Sequence, residues 1–303
     1  MFDKNGIWYN KLILFEGREN IMSLQDTYTL SDGVKIPRIG FGTWQMPNDE
    51  HTTKVVENAI NVGYRHIDTA QMYGNEEAVG QGIKNSGMTR EELFVTTKLN
   101  NPNHTYELAK NSIDESLKLL QLDYIDLFII HWPNPKAFRE NWAESNIESW
   151  RAMEEAHKAG KIRSLGVSNF MPHHLDALVD HVDVMPTVNQ ILLNPSEMQP
   201  ETVARNKELN ILSEAYSPLG TGKIFDLDEM KILSEKYNKS IAQVAIRWSL
   251  QHGFLPLPKT STLSRAAENV DVFDFEISEG DMKLIDGLKG LAGSMSSPDE
   301  KPF

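Results

Sequence analysis

The strongest constraint in this sequence is an alternation, repeated eight times from residue 38 onward, of short β-rich runs with amphipathic helical segments. Alternation of this kind is typical of βα units that build a parallel sheet. No linker rich in Pro, Gly or Ser divides the 303 residues, so one barrel accounts for them better than two doubly wound domains. We therefore predict an α/β fold, a single-domain (β/α)8 TIM barrel. Its strands are expected at Arg38–Gly42, Tyr64–Asp68, Phe94–Lys98, Ile125–His131, Ile162–Ser168, Thr187–Ile191, Ile211–Tyr216 and Phe254–Leu257.

Local patterns add an N-terminal β-hairpin and extra helices to this barrel. The hairpin pairs Tyr28–Leu30 with Val34–Ile36 around the turn Ser31–Gly33, and an additional helix covers Asp228–Tyr237. A capping box of Ser240 and Gln243 marks the start of a further helix. From Gly290 onward a loop is expected. Two helices show apolar residues at the spacing i, i+3, i+4, i+7: Leu175, Leu178, Val179 and Val182, then Ile241, Val244, Ala245 and Trp248.

The first 22 residues lack the pattern of the rest. We interpret residues 1–22 as a disordered or non-native N-terminal extension and residues 23–303 as the barrel domain. The compact apolar run Leu12–Phe15 is too short for the core of a signal peptide. An upstream start or an added segment before Met22 and a tail peculiar to this protein both remain open. No apolar run approaches the ~18 residues of a membrane span, so we expect a cytoplasmic protein with no membrane partner.

The net charge and the cysteine content exclude several kinds of partner and of active site. Thirty Lys and Arg against 43 Asp and Glu give a net charge of −13, which repels phosphate backbones and argues against a nucleic-acid partner. The chain has no cysteine. Disulfides, thiolate zinc sites, iron–sulfur clusters and a thiol nucleophile are therefore excluded.

Polar side chains close the predicted strands at the end where barrels of this kind build their active sites. Asp68 with Tyr73 just beyond it, Lys98 and His131 follow strands two, three and four. Each has a plain structural alternative: a helix cap, a rim aromatic, a snorkelling lysine and a hydrogen-bonded histidine. As a set they suit proton transfer, because a buried ammonium lowers the pKa of a neighbouring phenol and a carboxylate keeps that ammonium charged.

The sequence resembles the aldo-keto reductases from about Tyr28 to Phe275, and looks most similar to prokaryotic members of the 2,5-diketogluconate and glyoxal reductase type. Such enzymes are metal-free, cytosolic barrels, by default monomers, that transfer hydride from NADPH to an aldehyde or ketone. The resemblance is carried by Ile39–Trp44, Gly63–Glu76, Thr97–Leu99, Leu122–Leu127, His131–Pro133, Ile162–Phe170, Ala215–Gly220 and Leu257–Lys259, with Arg265, Glu268 and Asn269.

The resemblance implies roles for the four catalytic candidates. Tyr73 would donate a proton to the carbonyl oxygen, Lys98 and Asp68 would tune it, and His131 would orient the substrate by a hydrogen bond. We expect the pKa of Tyr73 to fall by ~2–3 units from the ordinary phenol value of about 10. The substrate would be a small carbonyl compound such as an α-dicarbonyl or a keto sugar.

The resemblance also implies binding residues. Those for NADPH or NADP⁺ are Gly42, Thr43, Trp44, Ser168, Asn169, Gln190, Tyr216, Ser217, Leu219, Gly220, Lys259, Thr260, Arg265, Glu268 and Asn269. Lys259, Thr260 and Arg265 among them would meet the adenosine 2′-phosphate. Those lining the substrate pocket are Trp44, Met46, Met72, His131, Trp132 and Phe170. Asn194 stands where the family usually has histidine.

Rival enzyme classes lack their motifs. The glycine patterns at Gly40 and Gly80 break the GxGxxG fingerprint, and no P-loop occurs. We expect no metal, because no HxH or HExxH spacing occurs and the adjacent His173 and His174 should point apart on a helix. Two alternatives remain: a Schiff-base aldolase with Lys98 as nucleophile, and a nucleotide sensor without turnover.

Overall fold

The computed structural model describes residues 22–292 and 297–301. Its main sheet has eight parallel strands in sequential order, β3 to β10, after a separate two-stranded hairpin of β1 and β2. The predicted (β/α)8 fold is confirmed. The strands are β1 (Thr27–Thr29), β2 (Lys35–Pro37), β3 (Phe41–Gly42), β4 (His66–Asp68), β5 (Phe94–Leu99), β6 (Ile125–Ile130), β7 (Ile162–Ser168), β8 (Val188–Leu192), β9 (Leu212–Tyr216) and β10 (Leu255–Leu257).

The first and last barrel strands meet, which closes the sheet. Backbone N–H groups of Gly40 and Gly42 donate to the carbonyl oxygens of Pro256 and Pro258, at 3.0 and 3.1 Å. Gly40 is required there, because a Cβ at this position would lie 2.6 Å from the His66 ring inside the barrel. Closure brings the ends of β3 and β10 to the same edge of the barrel mouth.

Ten helices of eight or more residues surround the barrel in the described part of the chain. Eight of them follow the eight strands, and α7 and α10 are additions. The helices are α1 (Glu50–Asn61), α2 (Glu76–Asn85), α3 (Tyr106–Leu120), α4 (Trp142–Lys158), α5 (Pro172–Val179), α6 (Pro200–Glu208), α7 (Asp228–Tyr237), α8 (Ile241–Gln251), α9 (Leu263–Val270) and α10 (Glu279–Asp286). None of these described helices is both long and apolar enough to cross a membrane.

The N-terminal hairpin closes the end of the barrel opposite the mouth. Leu30 and Ile36 belong to one buried cluster with Phe94, Leu127 and Leu255, whose strands form the barrel wall. Gly33 completes the turn at a φ of +87°, a conformation that glycine adopts without strain. The predicted hairpin is confirmed. Each of its two strands lies one residue further from the turn than predicted.

Several predicted boundaries change. The structure confirms the helix Asp228–Tyr237 and the capping box of Ser240 with Gln243. Helix α5 ends at Val179, so Val182 lies beyond it. The first predicted strand shrinks to the two residues Phe41 and Gly42, which pair with Ile67 and Asp68 of β4. The loop expected from Gly290 contains a short 3₁₀ turn at Pro298–Glu300. Residues 1–21 of the predicted extension lie outside the described residues.

Candidate active site

Four predicted side chains meet at the mouth of the barrel. The Lys98 ammonium donates to the Asp68 carboxylate at 2.6 Å, to the carbonyl oxygen of Thr69 at 2.7 Å and to the Tyr73 hydroxyl at 3.3 Å. The ring of His131 lies edge-on to that of Tyr73, with centroids 5.7 Å apart. An acid, an ammonium, a phenol and an imidazole therefore form one cluster.

Strand geometry explains this convergence. Asp68 ends β4 and lies opposite Thr96 of β5, so Lys98 is two residues further along β5 and faces the same interior. Tyr73 is presented by a 3₁₀ turn, Gln71–Tyr73, that ends in Gly74 at a φ of +65°. The Gln71 side chain fixes that turn, because its amide donates to α3 and its carbonyl oxygen accepts the Asn100 backbone N–H at 2.8 Å.

The ionisation of Tyr73 differs from expectation. Burial raises the pKa of the Tyr73 phenol above its ordinary value, and the opposing effect of the Lys98 charge does not outweigh it. The expected net lowering is therefore wrong for this structure, because sequence reasoning considered the ammonium and not the loss of water around the phenol. Tyr73 consequently remains a phenol at neutral pH.

Lys98 and His131 have opposite charge states. Burial works against the Lys98 ammonium, but the carboxylate of Asp68 and its other neighbours raise the pKa of Lys98 overall. Burial, followed by the Lys98 charge, lowers the pKa of His131 well below its ordinary value. The site thus holds a charged Lys98 and a neutral His131 that can donate a single ring hydrogen.

A second hydrogen-bonded group borders this cluster at the ends of β7, β8 and β9. The Tyr216 hydroxyl donates to Asn169 Oδ1 at 2.8 Å, and Asn169 Nδ2 donates to the His131 carbonyl oxygen at 3.0 Å. Gln190 Nε2 donates to Asp68 Oδ2 at 2.8 Å. Ser168 Oγ donates to the Gln190 carbonyl oxygen at 2.7 Å. Asn169 and Gln190 therefore contact the catalytic cluster directly, and Tyr216 and Ser168 are joined to it through them.

Comparison with known proteins identifies the relationship. The family model described as the aldo/keto reductase family matches residues 38–289. A glyoxal reductase of Bacillus subtilis is 44% identical over 281 residues, covering 93% of this chain and 99% of the relative. A methylglyoxal reductase of Escherichia coli K12, DkgA, is 43% identical over 276 residues, 90% of this chain and 96% of the relative.

The chain belongs to the aldo/keto reductase family. It is thus an oxidoreductase, as its sequence resemblance implies. A solved structure of a Bombyx mori aldo-keto reductase in complex with NADP superposes with a TM-score of 0.80 at 36% identity, covering 88% of this chain and 93% of that one.

After strands β9 and β10, this reductase has a turn in which the N–H groups of Gly220 and Gly222 donate to the carbonyl oxygens of Ser217 and Leu219, and two predicted cofactor cations. Ser217, Gly220, Thr221 and Gly222 all adopt positive φ values, between 49° and 94°. Lys259 and Arg265 make no ion pair within the described residues, and Arg265 is exposed. Of the other predicted cofactor residues, Glu268 is exposed and Leu219 half-buried, whereas Gly42, Thr43, Thr260 and Asn269 are buried.

The six predicted substrate residues divide by exposure. Trp44 and Met72 are 45% and 39% exposed, and Trp132 is half-buried beside the buried ring of His131. Met46 and Phe170 instead belong to the main hydrophobic cluster, where Phe170 has no exposed surface. Met46 and Phe170 thus pack in the core, and their lining of a substrate pocket stays a prediction.

The expectation that His173 and His174 point apart is wrong. Their ring centroids are 3.9 Å apart, and Nε2 of each approaches the Asp299 carboxylate, at 3.2 and 2.8 Å. Pro172 starts α5, so both residues lie in its first turn and lean toward the C-terminal segment. Because Nδ1 of His174 accepts the Met171 backbone N–H, its Nε2 carries the hydrogen that Asp299 accepts. The contact of His174 with Asp299 is therefore a hydrogen bond. A metal ion would have to displace the hydrogen on Nε2 of His174 in order to bind there.

Sequence reasoning missed two buried residues beneath the cluster, His66 and Glu214. Glu214 Oε2 accepts a hydrogen from Gln190 Nε2 at 2.7 Å, and neither His66 nor Glu214 has exposed surface. The detectable signal was an acidic residue inside the predicted strand Ile211–Tyr216. Asn194 is also buried, where its Oδ1 accepts the Ser196 backbone N–H at 2.9 Å and shapes the loop after β8.

Proposed function

We propose that this reductase uses NADPH to reduce small aldehydes and ketones, α-dicarbonyls and keto sugars among them, with Tyr73 as the proton donor. The observation that carries the proposal is the position of the Lys98 ammonium between the Asp68 carboxylate, at 2.6 Å, and the Tyr73 hydroxyl, at 3.3 Å. The glyoxal and methylglyoxal reductases found by comparison support the same class of substrate.

The proton step follows from the charge state of the cluster. A bound nicotinamide would supply the hydride, and the carbonyl oxygen that receives the negative charge would need a proton. Tyr73 is held as a phenol by its raised pKa, so it carries that proton at neutral pH. The adjacent Lys98 ammonium then stabilises the phenolate that donation leaves behind.

The other two residues prepare the site for this step. Asp68 holds the ammonium in place and, with the carbonyl oxygen of Thr69, occupies two of its three hydrogens. His131 is neutral and lies edge-on to Tyr73, so its ring N–H is suited to orient a carbonyl oxygen toward the phenol. A neutral imidazole also adds no charge that would repel the ammonium.

The residues at the mouth fit a phosphorylated dinucleotide. Lys259, just after β10, and Arg265, in α9, make no ion pair within the described chain, and barrels commonly bind phosphate beyond their last strands. The turn from Ser217 to Gly222, with positive φ values at Ser217, Gly220, Thr221 and Gly222, adds little side-chain bulk at its two glycines. The Bombyx mori relative is solved with NADP. We infer that the carboxamide end lies at Ser168, Asn169 and Gln190.

The charge of Lys98 argues against the Schiff-base alternative. A nucleophilic lysine must lose its proton, whereas this one is fully buried, ion-paired and has a raised pKa. The intact four-residue cluster likewise argues against a sensor without turnover. We propose further that the protein acts as a cytoplasmic monomer and that residues 23–303 form the functional barrel domain.

The test is a panel of carbonyl substrates with NADPH, run on wild type, Tyr73→Phe and Tyr64→Phe. Tyr73→Phe should lose at least ~10²-fold in kcat/KM while retaining NADPH affinity, because it removes the proton donor and keeps the ring. Tyr64 is a fully buried tyrosine whose hydroxyl has no partner in the described chain, so its variant is a matched control that should retain full activity. Retained turnover in Tyr73→Phe refutes its role, and borohydride trapping of substrate on Lys98 would favour the aldolase.

A further inference from the structure

The barrel interior below the catalytic cluster contains a carboxyl group that the proposed mechanism does not use. Glu214 lies on β9 directly opposite Gln190 of β8 and has no exposed surface. Gln190 Nε2 donates one hydrogen to Glu214 Oε2 at 2.7 Å and the other to Asp68 Oδ2 at 2.8 Å. A single amide group therefore connects two buried carboxyl groups.

This bridge fixes the orientation of the Gln190 side chain. An amide nitrogen has two hydrogens, and both are used by Asp68 and Glu214. Gln190 Oε1 must then face away from the two carboxyl groups. Under the proposed function this oxygen is the part of Gln190 that remains to accept a hydrogen from the nicotinamide carboxamide.

Few titratable side chains surround Glu214. His66 of β4 lies on its other side, with Nδ1 3.8 Å from Glu214 Oε1, and both atoms lack a hydrogen-bond partner within the described chain. Burial lowers the pKa of His66 to about 3, so the imidazole is neutral. The other titratable groups around this layer are Asp68, Lys98, Tyr73, the neutral His131 and Tyr216 of β9, whose pKa burial raises.

Strands β3, β6, β7, β8 and β10 add no charged side chain beside Glu214. Strands β3, β8 and β10 contain no ionisable side chain. Asp126 of β6 and Arg163 of β7 pair with each other at 2.8 Å near the N-terminal ends of their strands, away from the mouth. Glu214 therefore acts on Tyr73 and Lys98 with no competing ionisable group on those strands.

We propose that Glu214 is a positioning residue of the reductase site, which orients Gln190 toward the cofactor and adjusts the acidity of Tyr73 through its own ionisation. The inference rests on the proposed function. Burial, followed by the Asp68 charge, raises the pKa of Glu214 to about 8. Glu214 is thus neutral near pH 7 and negative above pH 8, where its charge further raises the pKa of Tyr73.

Replacing Glu214 by glutamine should shift the pH dependence of the reaction downward. In Glu214→Gln the position stays neutral at every pH, so Tyr73 loses the added negative charge and becomes a stronger acid above pH 8. The alkaline limb of carbonyl reduction should move down by about one pH unit, and the rise of alcohol oxidation with NADP⁺ should move down equally. At pH 6–7 the variant should keep kcat within about twofold, because glutamine matches the shape of the protonated acid.

A second variant separates orientation from charge. Glu214→Leu removes the acceptor for Gln190 Nε2 and frees the amide to turn over. The KM for NADPH should then rise by roughly tenfold at all pH values, an effect that Glu214→Gln does not share because its amide oxygen still accepts the hydrogen. Equal NADPH KM values in both variants would refute the orienting role.

Glu76→Gln is the matched control. Glu76, the first residue of α2, has a buried carboxyl that accepts the Thr97 hydroxyl at 2.7 Å, and Thr97 lies on the face of β5 opposite Lys98. Its variant should leave both pH limbs in place. Infrared difference spectra of the wild type should show one buried carboxylic acid that loses its C=O band near pH 8, and this band should be missing in Glu214→Gln.

The outcomes are separable. If the wild type reduces no carbonyl compound with NADPH, the proposed function fails. If it does so but Glu214→Gln leaves the pH limbs unchanged, only the inference about Glu214 fails. Where a Glu214 variant does not fold, a wild-type infrared titration without a protonated carboxyl at pH 7 overturns the proposal by itself.

Discussion

Replacing Lys98 by methionine should damage stability and activity for different reasons. Lys98 is fully buried and pairs with Asp68, itself 3% exposed, at 2.6 Å. Removing the ammonium leaves a carboxylate without its counter-ion in the barrel, where breaking a buried pair costs about 3–5 kcal/mol. At roughly 2 °C per kcal/mol for a chain of this size, Tm should fall by about 6–10 °C. Activity should fall by at least ~10²-fold, because the phenolate loses its stabilising charge.

The double variant Lys98→Met with Asp68→Asn separates the two effects. The asparagine introduced by Asp68→Asn is neutral and still offers an oxygen to Gln190, so most of the lost stability should return. Activity should remain as low as in the single variant. Thermal unfolding and NADPH consumption, measured on both proteins at pH 7, provide the comparison. A stable, wild-type-like Lys98→Met protein would refute the ion-pair argument, and recovered turnover in the double variant would refute a chemical role for Lys98.

Three further predictions concern the cofactor and the chain ends. Arg265→Ala should weaken NADPH binding by ~10- to 100-fold and NADH binding much less, measured by tryptophan-fluorescence quenching; equal losses would reject a 2′-phosphate contact. Burial lowers the pKa of His174 to about 4, so below pH 6.5 the unfolded chain takes up a proton that the folded protein excludes, and stability should fall by up to about 3 kcal/mol between pH 6.5 and 4. Urea unfolding of His174→Gln should show a loss over that range smaller by this amount. Deleting residues 1–21 should leave activity and Tm unchanged, since the family match starts at residue 38.

The fold was predictable because its signals are local. Each βα unit has its own apolar run and its own helical period, and the Ser240 and Gln243 capping box is four residues long. The predicted ends of the strands were less accurate, because a strand ends where its neighbouring strand ends. Phe41 and Gly42 pair with only two residues of β4, Ile67 and Asp68. That limit depends on a partner 26 residues away and has no mark in the run itself.

The positions of Asp68, Lys98 and His131 at the ends of strands were as predictable as the fold. What the sequence lacked was the degree of burial, and burial decides the ionisation of each group. Tyr73 shows this, because the ammonium beside it lowers its pKa as expected, but desolvation raises it by more. The pairing of His173 and His174 on Asp299 was hidden for another reason, since it depends on a C-terminal residue 125 positions away.

The role of Glu214 was hidden for both reasons, its burial and its contact with a residue of another strand. In the sequence Glu214 is one acid within a predicted strand of a parallel barrel, whose strands are covered on both faces and favour apolar residues. Barrel closure turns that position inward, and the register of β9 with β8 places it opposite Gln190. A buried carboxyl in this place is costly unless it is protonated or hydrogen-bonded, and the structure provides both through Gln190 and a raised pKa. The arrangement therefore supports a neutral acid below a charged pair, in which a change of one proton alters the acidity of Tyr73 without moving any side chain.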